Sequence, residues 1–84
     1  MYKAVVTIHL KKSILDPQGS AVVKALKSLD YSGVEEVRVG KHIELLLDVE
    51  SEEKALGETK EICAKLLVNP VIEDYQVKVM EVEA

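Results

Sequence analysis

Two histidines, His9 and His42, and one cysteine, Cys63, are the residues best suited to nucleophilic, acid–base or metal chemistry in this 84-residue sequence. Their spacing does not assemble such chemistry. Neither histidine has a second donor at ligand spacing, and a metal site needs several donors that converge. A Cys–His pair needs a third group to orient the imidazole, and the sequence offers none. Cys63 falls on the apolar face of a helical segment, the usual place of an inert core thiol; both histidines read as surface residues. The carboxylates cluster at 35–36, 50, 52–53 and 73–74. These are the starts of predicted strands and of a helix, so solvation and helix-dipole complement account for them. A paired acid and base is the minority reading. Neither G-x-G-x-x-G nor G-x-x-x-x-G-K-[ST] occurs, so no phosphate loop is encoded.

The charge balance excludes a further class. Fifteen acidic residues stand against eleven basic ones, ten Lys and the single Arg38, for a net charge of −4. A nucleic-acid surface needs a basic face, usually Arg-rich and often interleaved with aromatics. No membrane span or signal peptide is legible, and one cysteine excludes an internal disulfide framework. The expectation is a soluble, cytoplasmic domain with no nucleic-acid or membrane partner. A chain of this length buries only about 60–65% of its unfolded surface. With three Tyr, no Phe and no Trp, its core rests on aliphatic side chains, and association with other chains would stabilise it.

The elements follow from periodicity. "YKAVVTIHLK" alternates, with Ala4, Val6, Ile8 and Leu10 on one side: a half-buried strand. Residues 20–29 repeat apolar side chains at helical spacing, and "DYSG" supplies stop signals. "VEEVRVG" predicts a second strand with Val37 and Val39 inward, and "HIELLLDV" a third with Ile43, Leu45, Leu47 and Val49 inward. Gly40 and Lys41 would form a hairpin turn between them. Ser51 caps a second helix running to about Leu67, with Ala55, Leu56, Thr59, Ile62, Cys63, Leu66 and Leu67 buried. Asn69 and Pro70 stop it. The last strand points Tyr75, Val77 and Val79 inward. One domain, 1–84, thus divides into βαβ halves at about 1–40 and 41–84. A 38-residue offset aligns "VEEVRV" with "IEDYQV", which reads as an internal repeat. Right-handed crossovers then predict an α+β, ferredoxin-like split βαβ fold: a four-stranded antiparallel sheet with two helices on one face.

Within that fold class, a copper chaperone would need C-x-x-C, and an acylphosphatase a catalytic Arg in the first loop. This loop carries Lys11 and Lys12 instead. The uncovered sheet face is mostly polar, with Val5, Leu46 and Met80 interspersed, and it or a sheet edge is the expected homo-oligomer contact.

The stretch "SILDPQGSAV" is the most unusual. Asp16 is a strong N-cap, and Pro17 then takes the first helical position, where its missing N–H costs nothing. Gly19 at the third helical position costs up to about 1 kcal/mol relative to Ala. Glycine is useful there when another backbone must come close.

"LDPQGSAV", "VEEVRVGKHIEL" and "AKLLVNPVIEDYQVKV" together resemble the small-subunit family of phosphoribosylformylglycinamidine synthase, from Tyr2 to Val82. Leu15-Asp16-Pro17-Gln18-Gly19 is the most specific part, supported by Arg38-x-Gly40-Lys41 and Asn69-Pro70-x-Ile72-Glu73-Asp74-Tyr75. Pro70 departs from the usual family residue and sharpens the end of the second helix.

The resemblance implies an adaptor without catalytic residues. A glutaminase subunit releases ammonia from glutamine. A large synthetase subunit binds ATP, Mg²⁺ and formylglycinamide ribonucleotide and forms the amidine. The small subunit joins the two, assists ammonia transfer, and forms dimers or dimers of dimers. No cofactor is expected in this chain, and no metal. The candidate partner contacts are Asp16, Pro17, Gln18 and Gly19, with Arg38, Lys41 and His42 on the same or a neighbouring surface. The competing expectation is an ACT-like small-molecule-sensing domain, with Gly19 in its ligand turn.

Overall fold

The computed structural model describes residues 1–83. The alternating N-terminal segment forms β1 (Tyr2–Leu10), the middle strand of the sheet. It pairs antiparallel with β2 (Lys41–Leu47) on one side and with β3 (Glu73–Glu81) on the other, in the order β2-β1-β3. Val6 stands opposite both Ile43 and Val77, so apolar residues meet across all three strands on one face. Central position explains the burial: Ala4 and Val6 are fully enclosed, and Ile8 nearly so. Burying side chains of the size of Val6 and Ile8 contributes about 1.5–3 kcal/mol each.

That face is covered by α2 (Glu52–Ile62), which packs on β1 and β3. Ser51 caps it, its hydroxyl accepting from the Lys54 N–H at 3.2 Å, and Glu52 and Glu53 occupy the first turn as the helix dipole favours. Ala55, Thr59 and Cys63 are buried against the sheet, and the Thr59 hydroxyl is satisfied by donating to the Ala55 carbonyl at 2.7 Å. Beyond Ile62 the helix widens into a π turn, Cys63–Leu67, closed by the Val68 N–H donating to the Cys63 carbonyl at 3.0 Å. The wider turn shifts the helical phase. Leu66, expected in the core, is 79% exposed, and Val68 is buried instead.

The first helix, α1 (Pro17–Ser28), ends in a Schellman motif. Asp30 takes the left-handed conformation at φ 70°, and the N–H groups of Asp30 and Tyr31 donate to the carbonyls of Lys27 and Leu26. Within the "DYSG" stretch Asp30 is therefore the stop residue.

Two features correct the expected fold. The sheet has three strands, not four, and the helices do not lie side by side on it. Residues 34–39 join no ladder, and α1 makes no substantial contact with the sheet, leaving Val22 and Leu29 exposed. Register parity explains the missing hairpin. A two-residue Gly40-Lys41 turn would set Val39 opposite His42 and Val37 opposite Glu44. Directly opposed residues share a face, so both valines would fall on the outer face. Gly40 also lacks the positive φ that primed hairpin turns demand of their first central residue. It serves a close approach instead: a β-carbon there would stand 2.6 Å from the Ile8 carbonyl oxygen. The chain therefore runs from residue 34 into β2 without turning back.

Candidate functional site

The unusual residues of the first loop meet at one end of the sheet, and Asp16 organises them. One of its carboxylate oxygens accepts from the Gly19 N–H at 2.9 Å, capping α1; the other accepts from the Val39 N–H at 2.7 Å. Asp16 is 5% exposed, and these two N–H donors, helped by the Arg38 guanidinium, hold its carboxyl below the usual carboxylate range despite the opposing effect of burial. The cap thus also fastens α1 to the segment entering β2. Gly19 completes the joint. A β-carbon there would overlap the Val37 carbonyl oxygen, so only glycine lets the two backbones approach so closely.

Arg38 fastens the same loop from the other side. Its guanidinium donates to the carbonyls of Lys11 and Ile14, each at 3.0 Å. Lys41 lies at the start of β2, its ammonium 3.5 Å from Glu73, whose other oxygen accepts from the Asn69 N–H at 2.8 Å. Between these groups lies a cavity of about 290 Å³, lined by Ile8, His9, Leu10, Asp16, Pro17, Gln18, Val39, Gly40, Lys41 and Glu73. Its walls are mainly aliphatic and backbone, with the Lys41–Glu73 pair as the polar edge.

Six of the seven sequence-predicted contact residues therefore gather at this end. Their duties differ. Asp16, Gly19 and Arg38 are engaged in bonds or packing within the chain, whereas Pro17, Gln18 and Lys41 are exposed. His42 is not brought in. It stands opposite Thr7 on the outer face, 3.5 Å from Glu44, which also pairs with Lys3 at 3.0 Å. These two neighbours hold the Glu44 carboxyl below its ordinary range. Glu73 was missed by sequence reasoning, which read it as solvated charge. Its offset from Asn69-Pro70, where a carboxylate can receive the amide freed by a helix stop, was the available signal.

The potential reactive groups are dispersed. His9, at the end of β1, lines the cavity, His42 stands on the outer face opposite Thr7, and Cys63 is fully enclosed in the core, where burial pushes its thiol pKa up. Among the described residues no group of His, Cys, Asp and Glu could hold a metal ion, and no helix is long and apolar enough to cross a membrane.

Comparison with known proteins gives one consistent family. The family model described as "PurS: Phosphoribosylformylglycinamidine (FGAM) synthase" matches residues 3–81. The phosphoribosylformylglycinamidine synthase subunit PurS of Bacillus subtilis is 51% identical over 84 residues, spanning 100% of this chain and 99% of that protein. The PurS subunit of Methanocaldococcus jannaschii is 47% identical over 83 residues, 99% of this chain and 100% of the relative. Its crystal structure, described as one subunit of formylglycinamide ribonucleotide amidotransferase in the purine biosynthetic pathway, superposes with a TM-score of 0.89 over 99% of this chain and 100% of that one. A chain of the PurLQS structure from Thermotoga maritima, 33% identical, matches with a TM-score of 0.85 over 94% of this chain and 96% of its own.

Proposed function

The chain belongs to the PurS family of phosphoribosylformylglycinamidine synthase, and on that premise we propose how its geometry serves the complex. It is the small subunit of a carbon–nitrogen ligase of purine biosynthesis that takes its nitrogen from glutamine, and it works as an adaptor within that assembly. The match end to end with PurS relatives carries this reading, and it displaces the ACT-like alternative. The partners are a glutaminase subunit and a large synthetase subunit. ATP and Mg²⁺ belong to the large subunit. The substrates are charged and water-soluble, which supports a cytoplasmic location.

The chemical need for an adaptor is protection of ammonia. Near neutral pH free ammonia is mostly ammonium, which is not a nucleophile. A passage closed to bulk water keeps the neutral form. A rigid domain touching both enzymes favours the assembled, closed arrangement by binding it better than the separated one. The end of the sheet built by Asp16, Gly19 and Arg38 suits this work. Internal bonds fix its shape, and Pro17, Gln18 and Lys41 present the contact surface around the cavity. His42, on the outer face, belongs to a second contact. The exposed apolar side of α1 supports a homodimer or dimer of dimers.

Reconstitution tests the reading. The two larger subunits are assayed with and without this chain, using glutamine or ammonium as nitrogen source. The chain should raise glutamine-driven turnover strongly and ammonium-driven turnover little. Equal coupling without it would overturn the adaptor role.

A further inference from the structure

We infer that β3 pairs antiparallel with β3 of a second copy of this chain, joining two three-stranded sheets into one across a two-fold axis at Gln76. The inference rests on the homo-oligomer reading above and assigns one of its contacts, at the sheet edge on the far side of β1 from β2.

β3 is an edge strand open along its length. It pairs with β1 alone, in an unbroken register from Tyr2 opposite Glu81 to Leu10 opposite Glu73. Neither a proline nor a bulge blunts it, the devices that usually protect such an edge. Hydrogen-bond parity identifies the free groups. The Lys11 N–H donates to the Ile72 carbonyl at 2.8 Å, and the Val82 N–H to the Met1 carbonyl at 2.9 Å, one at each end of the ladder. Bonded pairs alternate along an antiparallel ladder. Between those ends the residues bonded to β1 are therefore Asp74, Gln76, Lys78 and Met80. The main-chain groups of Tyr75, Val77 and Val79 point outward, away from β1. The Glu73 N–H agrees: it also turns outward, to the Asn69 carbonyl at 2.8 Å. The side chains of Tyr75, Val77 and Val79 are only half-buried, although Ile8, Val6 and Ala4 opposite them are enclosed. The free edge thus carries both unpaired backbone and incompletely covered apolar surface.

The strand is its own complement. It reads Asp74-Tyr75-Gln76-Val77-Lys78: acidic, apolar, polar, apolar, basic. Reversed about Gln76, Asp74 stands opposite the partner's Lys78 and Tyr75 opposite the partner's Val77. The charges meet on the outer face and the apolar side chains on the inner one, as the register with β1 already orients them. Opposite charges and aromatic–β-branched pairs placed directly across two strands stabilise the pairing. Asp74 and Lys78 are both exposed, and neither has an ion pair of its own among the described residues. Backbone groups match in the same register. Tyr75 and the partner's Val77 both present outward groups, and the partner's Val79 N–H reaches the Glu73 carbonyl. A slip of one residue sets inner side chains against outer ones. A slip of two keeps the faces but loses the charge pairs. With the axis at Val77, Glu73 meets the partner's Glu81; with the axis at Tyr75, Asp74 meets the partner's Gln76. A two-fold contact of this kind is closed, so it ends at two copies.

The test places one cysteine at the axis. Gln76 is exposed, and in the seam Gln76→Cys faces its own copy in a non-hydrogen-bonded pair, with α-carbons about 4.5 Å apart, within reach of a disulfide. Cys63 is buried and stays out of the reaction. Oxidation of the full-length variant should link most chains into covalent dimers. Thr7→Cys, one strand inward on the same face, should give none. Equal linking at Thr7→Cys would mean that outer faces stack, and overturns the seam. Charge reversal checks the register. In the Gln76→Cys chain, Lys78→Glu should raise the concentration needed for linking about tenfold. Asp74→Lys should do the same, and the two together should restore linking; absence of that rescue overturns the inference. A Gln76→Cys chain that sediments as a dimer yet does not link overturns the seam and leaves the homo-oligomer reading intact. One that stays monomeric at every concentration overturns both. Hydrogen exchange reads the unmodified chain. Amides of Tyr75, Val77 and Val79 should slow as protein concentration rises, while those of Asp74, Gln76 and Lys78, already bonded to β1, should not change. Slowing that appears only when the two larger subunits are added gives the edge to a strand of theirs and overturns the inference.

Discussion

The carbonyl of Val37 occupies the space where a side chain on Gly19 would begin. Two segments, the first turn of α1 and the approach to β2, are joined there by backbone contact. Gly57, inside α2, has nothing within 4 Å of its missing β-carbon. The two glycines therefore predict opposite outcomes for one substitution. Gly57→Ala should stabilise the chain by about 0.5–1 kcal/mol, the ordinary helix propensity gain. Gly19→Ala gains the same propensity but must displace Val37. It should cost a net of about 1–3 kcal/mol, as overpacking does. Urea midpoints at constant slope measure both; equal shifts would refute the close approach.

Asp16 links the same segments through charge, and acid should uncouple them. Its folded pKa lies below 3.8, the ordinary value, chiefly because the Gly19 and Val39 N–H groups bind the carboxylate. The unfolded chain thus takes up this proton before the folded one does. The stabilisation is complete above the ordinary value and is lost as pH falls through the folded one. Asp16→Asn removes the charge at all pH values. The expected result is that the stability difference between the parent chain and Asp16→Asn is flat near neutrality and shrinks below about pH 4. A difference that does not shrink assigns the effect to packing alone.

Asp30 holds the end of α1 at φ 70°, a conformation glycine adopts at less cost. Asp30→Gly should therefore stabilise the chain by up to about 1 kcal/mol, whereas Asp30→Val should destabilise it. Gly33→Ala should change little, since no atom lies within 4 Å of its added β-carbon. Thermal melts of the three variants rank these positions.

The contrast between Asp30 and Gly33 illustrates what the residues disclosed and what they hid. The Asp16 cap, Pro17 at the first helical position and the Ser51 cap were legible because each is settled within four residues of chain. The inward sets Ala4-Val6-Ile8 and Ile43-Leu45-Leu47 were legible because a two-residue period has one interpretation on a half-buried strand. The function entered through the family resemblance of "LDPQGSAV" and its companion segments. The fourth strand misled because "VEEVRVGKHIEL" was read as two strands and a turn. Counting across a two-residue Gly40-Lys41 turn sets Val39 opposite His42 and Val37 opposite Glu44, so the parity conflict was in the sequence, but alternation within each segment does not show it. Leu66 misled because a π turn changes the helical phase without a sequence mark. At the candidate site, Gly19 was singled out as a point where a partner's backbone could come close. The approaching backbone is the chain's own Val37, a relation that needs the fold to be seen.

Arg38 donates to the carbonyls of Lys11 and Ile14 from one guanidinium nitrogen, each at 3.0 Å. The lysine ammonium is a more strongly hydrated point charge on a flexible stem and gives up its water less readily, so Arg38→Lys should loosen residues 11–16. Because the bonds are exposed, the stability loss should be small, about 1 kcal/mol or less. The local effect should be larger than the global one. Hydrogen exchange should quicken at Ile14, whose N–H donates to the Lys11 carbonyl at 2.9 Å, while the amides of β1 stay protected. Uniform quickening would mean that Arg38 supports the whole fold and not the loop.

Cys63 offers a probe of the core that needs no new label. Its side chain is fully enclosed between α2 and the sheet, in contact with the cluster of Val6, Ile8 and Val68. Its backbone carbonyl accepts the bond that closes the π turn. Thiol reagents attack the thiolate, and burial disfavours that form twice, by excluding the reagent and by raising the pKa. Modification should therefore proceed only through opening of the turn or of the whole chain. The logarithm of its rate should fall linearly with stability across the Gly19→Ala, parent and Gly57→Ala series if opening is global. A rate indifferent to that series would place the opening in residues 63–68 alone. The alkaline side follows from the same sign: the thiol is neutral in the fold, so its contribution holds below the ordinary thiol pKa and is lost as pH rises through the folded value. Cys63→Ser should abolish this alkaline loss. It should cost about 1–3 kcal/mol at neutral pH by burying a hydroxyl in an aliphatic site.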